Sequence, residues 1–142
     1  MAHPALAGAC CGSADTGISY AVILGSLMRL AGADIVLFPS NTQEAQAIKE
    51  ALSWTMGTLS KSFPAPSGGI HPGLIPKMIQ DYGRDVIINA GDLVYSHPAG
   101  ARAGAKAFRQ AISWVIQRGN FGGISEREFP ELMEALRLWG KK

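Results

Sequence analysis

Ser67-Gly68-Gly69-Ile70-His71-Pro72-Gly73 stands where an apolar strand should turn into a helix, and Ile87-Ile88-Asn89-Ala90-Gly91 repeats the strand-to-glycine junction further along. Glycine lets backbone N–H groups come close to an anion, and a helix that follows points the positive end of its dipole at the same spot. Alone, either junction reads as a plain turn between a strand and a helix. As a successive pair they suggest a phosphate grip of the kind that the loops after the seventh and eighth strands build in a β/α barrel.

Outward from this pair, short apolar runs alternate with longer helical patterns, the βαβα signature of a parallel sheet. Residues 4–9 read as a strand or the end of one, followed by a small-residue loop through Gly17 and a helix over about 18–31. Residues 34–39 form a near-continuous apolar strand of the type buried on both faces. Asn41 with Glu44 three residues on resembles a helix start, and Ile48, Ala51, Leu52, Thr55 and Leu59 keep helical spacing. The third strand should end near Ala65-Pro66-Ser67, and its helix should open between Pro72 and Pro76 and stop at Gly83. Residues 85–89 are the fourth strand. A long helix follows His97-Pro98, carries Phe108, Ile112 and Val115 on one face, and ends near Gly119. Ser125 and Glu128 look like a capping pair for a terminal helix bearing Leu132, Leu136 and Trp139, with Pro130 as a competing, later start.

The expected fold class is therefore α/β: a partial TIM-type barrel of about four parallel βα units plus a C-terminal helix, with residues 1–142 as one domain. Four units are half of an eight-unit barrel. Such an open array leaves two sheet edges uncovered, so it pairs with something or closes up differently.

Composition excludes several classes. The net charge is +2, with lysines and arginines scattered, so there is no basic stripe for nucleic acid. Hydrophobic residues make up 47%, yet the longest apolar run, 18–28, is too short to cross a bilayer and meets Arg29 at once. Met1-Ala2-His3-Pro4 lacks the basic segment and apolar stretch of a signal peptide, which makes a cytoplasmic location the expectation. Cys10 and Cys11 are adjacent, a spacing that strains a mutual disulfide and suits no zinc site.

Four segments carry a family resemblance: residues 65–73, 3–8, 30–40 and 85–91, which read Ala-Pro-Ser-Gly-Gly-Ile-His-Pro-Gly, His-Pro-Ala-Leu-Ala-Gly, Leu-Ala-Gly-Ala-Asp-Ile-Val-Leu-Phe-Pro-Ser and Asp-Val-Ile-Ile-Asn-Ala-Gly. In their order along the chain they resemble the large-chain family of ribulose-bisphosphate carboxylase, and more narrowly its RuBisCO-like branch, which includes diketo-methylthiopentyl-phosphate enolases. The resemblance implies the C-terminal half of the family's catalytic barrel, strands five to eight. It places His3 at a substrate-hydroxyl-binding histidine, Ser67, Gly68 and Gly69 in the loop that holds substrate and phosphate after strand seven, and Gly91 at the first glycine of the phosphate loop after strand eight. It implies a sugar-phosphate substrate and Mg2+-dependent enolisation of enolase, isomerase or decarboxylase type.

Departures from the family pattern shape the functional expectation. After Gly91 the branch usually continues with two more glycines, whereas this chain reads Asp92-Leu93. A carboxylate beside a phosphate costs binding through like-charge repulsion, and leucine lacks glycine's freedom at positive φ. The loop after Ser40 is shortened and does not promise a working lid. The family's magnesium ligands, a carbamylated lysine with an aspartate and a glutamate on strand two, have no counterpart here. Asp34, Asp81, Asp85 and Asp92 show no ligand spacing, and Asp92 reads as a solvent-facing loop residue. His3, near the terminus, is expected to fray. His71 and His97, each before a proline, suit capping or loop hydrogen bonding. The expectation is a RuBisCO-like C-terminal fragment without autonomous turnover. The alternatives are a half-barrel subunit active with a partner chain, and a non-enzymatic protein that binds a phosphorylated metabolite or self-associates as a homo-oligomer.

Overall fold

Prolines set the extent of the sheet. The computed structural model describes residues 1–11 and 17–140, so the expected loop before Gly17 lies mostly outside the described residues. Strands β1 (Ile35–Pro39) and β2 (Phe63–Ser67) pair in parallel, with Ile35 beside Phe63 and Pro39 beside Ser67. The Phe63 N–H donates to the Asp34 carbonyl at 2.7 Å. Because backbone groups alternate in direction along a strand, Pro64 and Pro66 turn their nitrogens toward residues 85–89, and neither carries a hydrogen to donate. What survives there is an Ile87 N–H bond to the Pro64 carbonyl at 2.9 Å and a single parallel bridge between Ser67 and Asn89. The expected fourth strand is thus reduced to one bridge.

The expected first strand fails for the same reason. Ala2 donates to the Ile35 carbonyl at 2.7 Å and accepts from the Leu37 N–H at 2.9 Å, bridging Val36 in parallel. The next rungs would need N–H groups on Pro4 and Pro39, and neither has one. The chain instead turns through Leu6, at φ 64°, into the short helix α1 (Ala7–Cys11). Among the described residues the sheet has two strands, with a one-residue bridge on each side, rather than four.

The chain divides into two compact units. The first comprises Met1–Gly68 and Arg84–Asn89. Its long helix opens as a π-helical stretch, Ala21–Leu27, continues as α2 (Met28–Leu30), and packs on α3 (Ala45–Ser53). A Cβ on Gly25 would lie 2.4 Å from that of Ala51, so glycine permits the close crossing. A Glu44 carboxylate oxygen accepts the Ala21 N–H at 3.3 Å, satisfying one of the donors that a helix start leaves over. Helix α3 ends at Ser53, short of the expected Leu59, because Arg29 gathers the chain there. Its guanidinium, 2% exposed, donates to the carbonyls of Ala51 (3.1 Å), Trp54 (2.9 Å), Leu59 (3.2 Å) and Ser60 (3.1 Å). A cation at the C-terminal end of a helix satisfies leftover carbonyls and opposes the dipole. Leu24, Val36, Ile48, Leu52 and Ala65 form the core of this unit.

The second unit comprises Gly69–Gly83 and Ala90–Lys142. A 3-10 turn, Pro72–Leu74, runs into α4 (Ile75–Tyr82), which stops at Gly83 with φ 80°. Three helices follow: α5 (Gly91–Tyr95), α6 (Ala101–Arg118) and α7 (Pro130–Trp139). Phe108 and Val115 of α6 are buried as expected, and α6 ends at a left-handed Gly119. Ser125 does not cap α7. Its carbonyl closes a separate turn by accepting from Glu128 and Phe129, and Pro130 fixes the true start. The Gln110 side chain supplies an acceptor for that start, taking the Leu132 N–H at 3.0 Å.

Candidate functional site

The N-terminal segment and the C-terminal ends of β1 and β2 enclose a cavity of about 400 Å3 that lies wholly in the first unit. His3, Leu6, Tyr20, Leu24, Phe38 and Ser67 are among its walls, and none of its described lining residues is a lysine or arginine. Two of the expected site residues, His3 and Ser67, therefore share one cavity. His3 is not on a frayed end: the two hydrogen bonds of Ala2 to β1 hold the residue before it.

The loop after β2 has the backbone that its glycines suggest. Gly68 and Gly69 sit at φ 94° and 65°, and no atom lies within 4 Å of the place where either would carry a Cβ. Conformation, not crowding, requires glycine at both. Ser40 fastens this loop: its N–H donates to the Ser67 carbonyl at 2.8 Å and its hydroxyl to the Gly68 carbonyl at 2.7 Å. Ser40 carries no role in the sequence reading. The signal that could have found it is its place directly after a strand end that pairs with Ser67. Gly69 and the rest of the motif belong to the second unit. There Gly73 is a packing residue, since a Cβ on it would fall 1.9 Å from the Gly140 carbonyl oxygen. His71 is buried, its ring centroid 6.3 Å from that of Trp139.

The junction after Asn89 is built differently. Gly91 has no left-handed φ and opens α5, with Asp92 exposed in the first turn. Leu93 lies inside that helix, so the expected conflict between leucine and a positive φ does not arise; the backbone has become helical instead. The Ser96 hydroxyl donates to the Asp92 carbonyl at 2.9 Å, and α6 presses on α5 so closely that a Cβ on Gly104 would lie 2.1 Å from the Val94 carbonyl oxygen. His97 is a loop fastener: its Nδ1 accepts the Ala99 N–H at 3.1 Å, which leaves Nε2 to donate to the Glu131 carbonyl at 3.0 Å.

Magnesium would need several oxygen ligands on one face. Among the described residues no three His, Cys, Asp or Glu side chains cluster to hold a metal ion. Asp34, Asp85 and Asp92 are exposed, and Asp81 pairs with Lys77 at 2.7 Å. The described side chains do not fit the metal site. The Cys11 thiol is pushed above its ordinary range by desolvation, then by Cys10 and Glu44, which disfavours the reactive thiolate. No helix among the described residues is long and apolar enough to cross a membrane.

Residues 39–139 match the family described as ribulose bisphosphate carboxylase large chain, catalytic domain. The chain belongs to this family. Within it, the chain is 44% identical to the 2,3-diketo-5-methylthiopentyl-1-phosphate enolase of Bacillus cytotoxicus, over 99% of its own length and 35% of that enzyme's. Its fold matches a RuBisCO-like protein (MtnW) from Alicyclobacillus acidocaldarius with a TM-score of 0.87 and 41% identity, covering 97% of this chain and 36% of the other. The octameric ribulose-1,5-bisphosphate carboxylase/oxygenase of Pyrococcus horikoshii matches at 0.83 and 32%, covering 97% and 34%. The chain thus spans about a third of the length of these RuBisCO-family relatives.

Proposed function

We propose that this RuBisCO-like chain carries the substrate-gripping side of an enolase-type site for a sugar phosphate. The observation that carries the reading is the fastened loop after β2: Gly68 is left-handed with open space around it and is held by Ser40, and Ser67 just before it lines a cavity together with His3. Backbone N–H groups without a neighbouring Cβ let a phosphate approach closely. In this reading Ser67, Gly68 and Gly69 hold the phosphate, and His3 hydrogen-bonds a substrate hydroxyl. Gly91 gives a weaker arm, because Asp92 beside it repels an anion. With four parallel segments in chain order, Ala2, β1, β2 and Asn89, the sheet reads as part of a TIM-type barrel.

The family resemblance implies magnesium, whose site the described side chains do not fit. Because the described carboxylates do not gather, its ligands would come from residues other than those described, and we propose that the chain alone has no turnover. A second reading, that a partner chain supplies them, is favoured by the sheet: pairing stops after one residue on either side, which leaves edges for another polypeptide.

The test is a thermal-shift titration of the chain with inorganic phosphate, beside an enolisation assay with Mg2+ and 2,3-diketo-5-methylthiopentyl-1-phosphate. Saturable stabilisation by phosphate, lost in Gly69→Val, with no enol formed, is expected. Absence of stabilisation contradicts the grip, and enol formation by the chain alone contradicts the lack of turnover.

A further inference from the structure

A second cavity, of about 500 Å3, lies between the π-helical stretch Ala21–Leu27 and α3, wholly in the first unit. π-Helical turns are uncommon and gather at functional sites. The two helices touch where Gly25 crosses Ala51, and beside that contact Val22, Ser26 and Trp54 wall an open groove. Trp54 is 57% exposed, a large apolar ring left in water. Besides its indole, the polar side chains of the lining are Glu50, Ser26 and Ser53, and no lysine or arginine is among the described lining residues. The Glu50 carboxylate accepts from the neutral amide of Gln46 at 3.3 Å, which leaves its charge in place. The Ser53 hydroxyl already donates to the Lys49 carbonyl at 2.9 Å, so toward a ligand it acts as an acceptor.

We propose that this groove is a separate binding site for a small organic cation, an ammonium head on an apolar body. The body buries its surface against Val22, Ala51 and Trp54. The head supplies three donors, which suits a lining that offers a carboxylate and a hydroxyl that has already donated. The face of the indole attracts the same positive charge through its quadrupole. An anion of the same shape would meet the Glu50 charge with no cation among the described lining residues to offset it, so it is rejected. The groove shares no lining residue with the cavity of His3 and Ser67, and the site stands whether or not phosphate binds there.

The experiment follows the backbone amide resonances of Val22 and Ala51 in the full chain as 2-phenylethylamine, 2-phenylethanol or phenylacetate is added, probes of similar shape whose heads are positive, neutral and negative. Saturable shifts with the amine are expected, with the alcohol bound about fivefold more weakly and phenylacetate more weakly still. Trp54 and Glu50 are both exposed, so substitutions there leave the fold intact. Trp54→Leu, which keeps an apolar wall without the ring, should weaken the amine about tenfold and the alcohol less. Glu50→Gln should weaken the amine about threefold and leave the alcohol unchanged. No saturable shift with the amine overturns the inference, as does equal affinity for amine and alcohol. Light scattering that shows self-association abolished by Trp54→Leu would overturn it too, because the groove would then hold a side chain of a second copy.

Discussion

The two glycine junctions read alike in sequence and differ in backbone. After Ser67 the chain passes through two left-handed glycines with open space around them, and Ser40 fastens the turn with two hydrogen bonds. After Asn89 it enters a helix at once, Gly91 takes an ordinary φ, and Asp92 occupies the first turn. A glycine therefore says little by itself. The conformation it adopts, and what stands next to it, separates a place where an anion can approach from a helix start. The first junction also does two jobs: Gly68 and Gly69 are needed for conformation, while Gly73 is needed because Gly140 crosses it.

Substitutions that add one methyl group can break this comparison. The largest expected effect is at the packing glycines. Gly73→Ala meets the Gly140 carbonyl and Gly104→Ala the Val94 carbonyl, both backbone atoms that cannot swing aside, so each should lose about 3 kcal/mol in a denaturant unfolding curve. Loss of less than about 1 kcal/mol would show that the helices around either junction can part. Next comes Gly69→Ala, where the cost is conformational and should be about 1 kcal/mol. At the other junction the sign should reverse. Gly91→Ala sits in a helix with room for its methyl, and should raise stability by about 0.5–1 kcal/mol. Equal effects at 69 and 91 would erase the distinction.

The smallest effect reaches the first junction from a distance. Helix α7, which ends at the Gly140 that covers Gly73, starts beside Glu131. That carboxylate accepts from Lys106 at 2.6 Å and from Gln110 at 2.8 Å. These hydrogen bonds, led by Lys106, hold its pKa down to about 2 from an ordinary 4.5. A depressed carboxylate pKa contributes stability above its unfolded value that is lost as pH falls through its folded one. Glu131→Gln should therefore be less stable than the unaltered chain at pH 7, with the gap closing between pH 4.5 and about 2. A gap that persists at pH 2 would assign the effect to packing. The effect is modest because water screens a pair whose lysine is largely exposed.

Much of this architecture can be read from the residues. The parallel sense of β1 and β2, the stops at Gly83 and Gly119 and the fastening role of His97 follow from patterns in the chain. The shortfall in strands was legible too: Pro64 and Pro66 at alternate positions remove the donors along one edge of β2, and Pro4 and Pro39 remove the next two rungs on the other side of the sheet. Other features were hidden because they depend on contacts remote in the chain. Ser40 shows its value only once β1 lies beside β2, and Arg29 only once the carbonyls of residues 51–60 converge on it. The left-handed turn at Leu6 has no local signal, since leucine is among the residues least suited to it.

The central claim, that the first junction holds phosphate and the second does not hold it alone, is tested most directly by following backbone amide resonances while inorganic phosphate is added. The account predicts saturable shifts at Gly68 and Gly69, with a smaller response at Gly91. Shifts confined to Gly91, or none at Gly68 and Gly69, would contradict it.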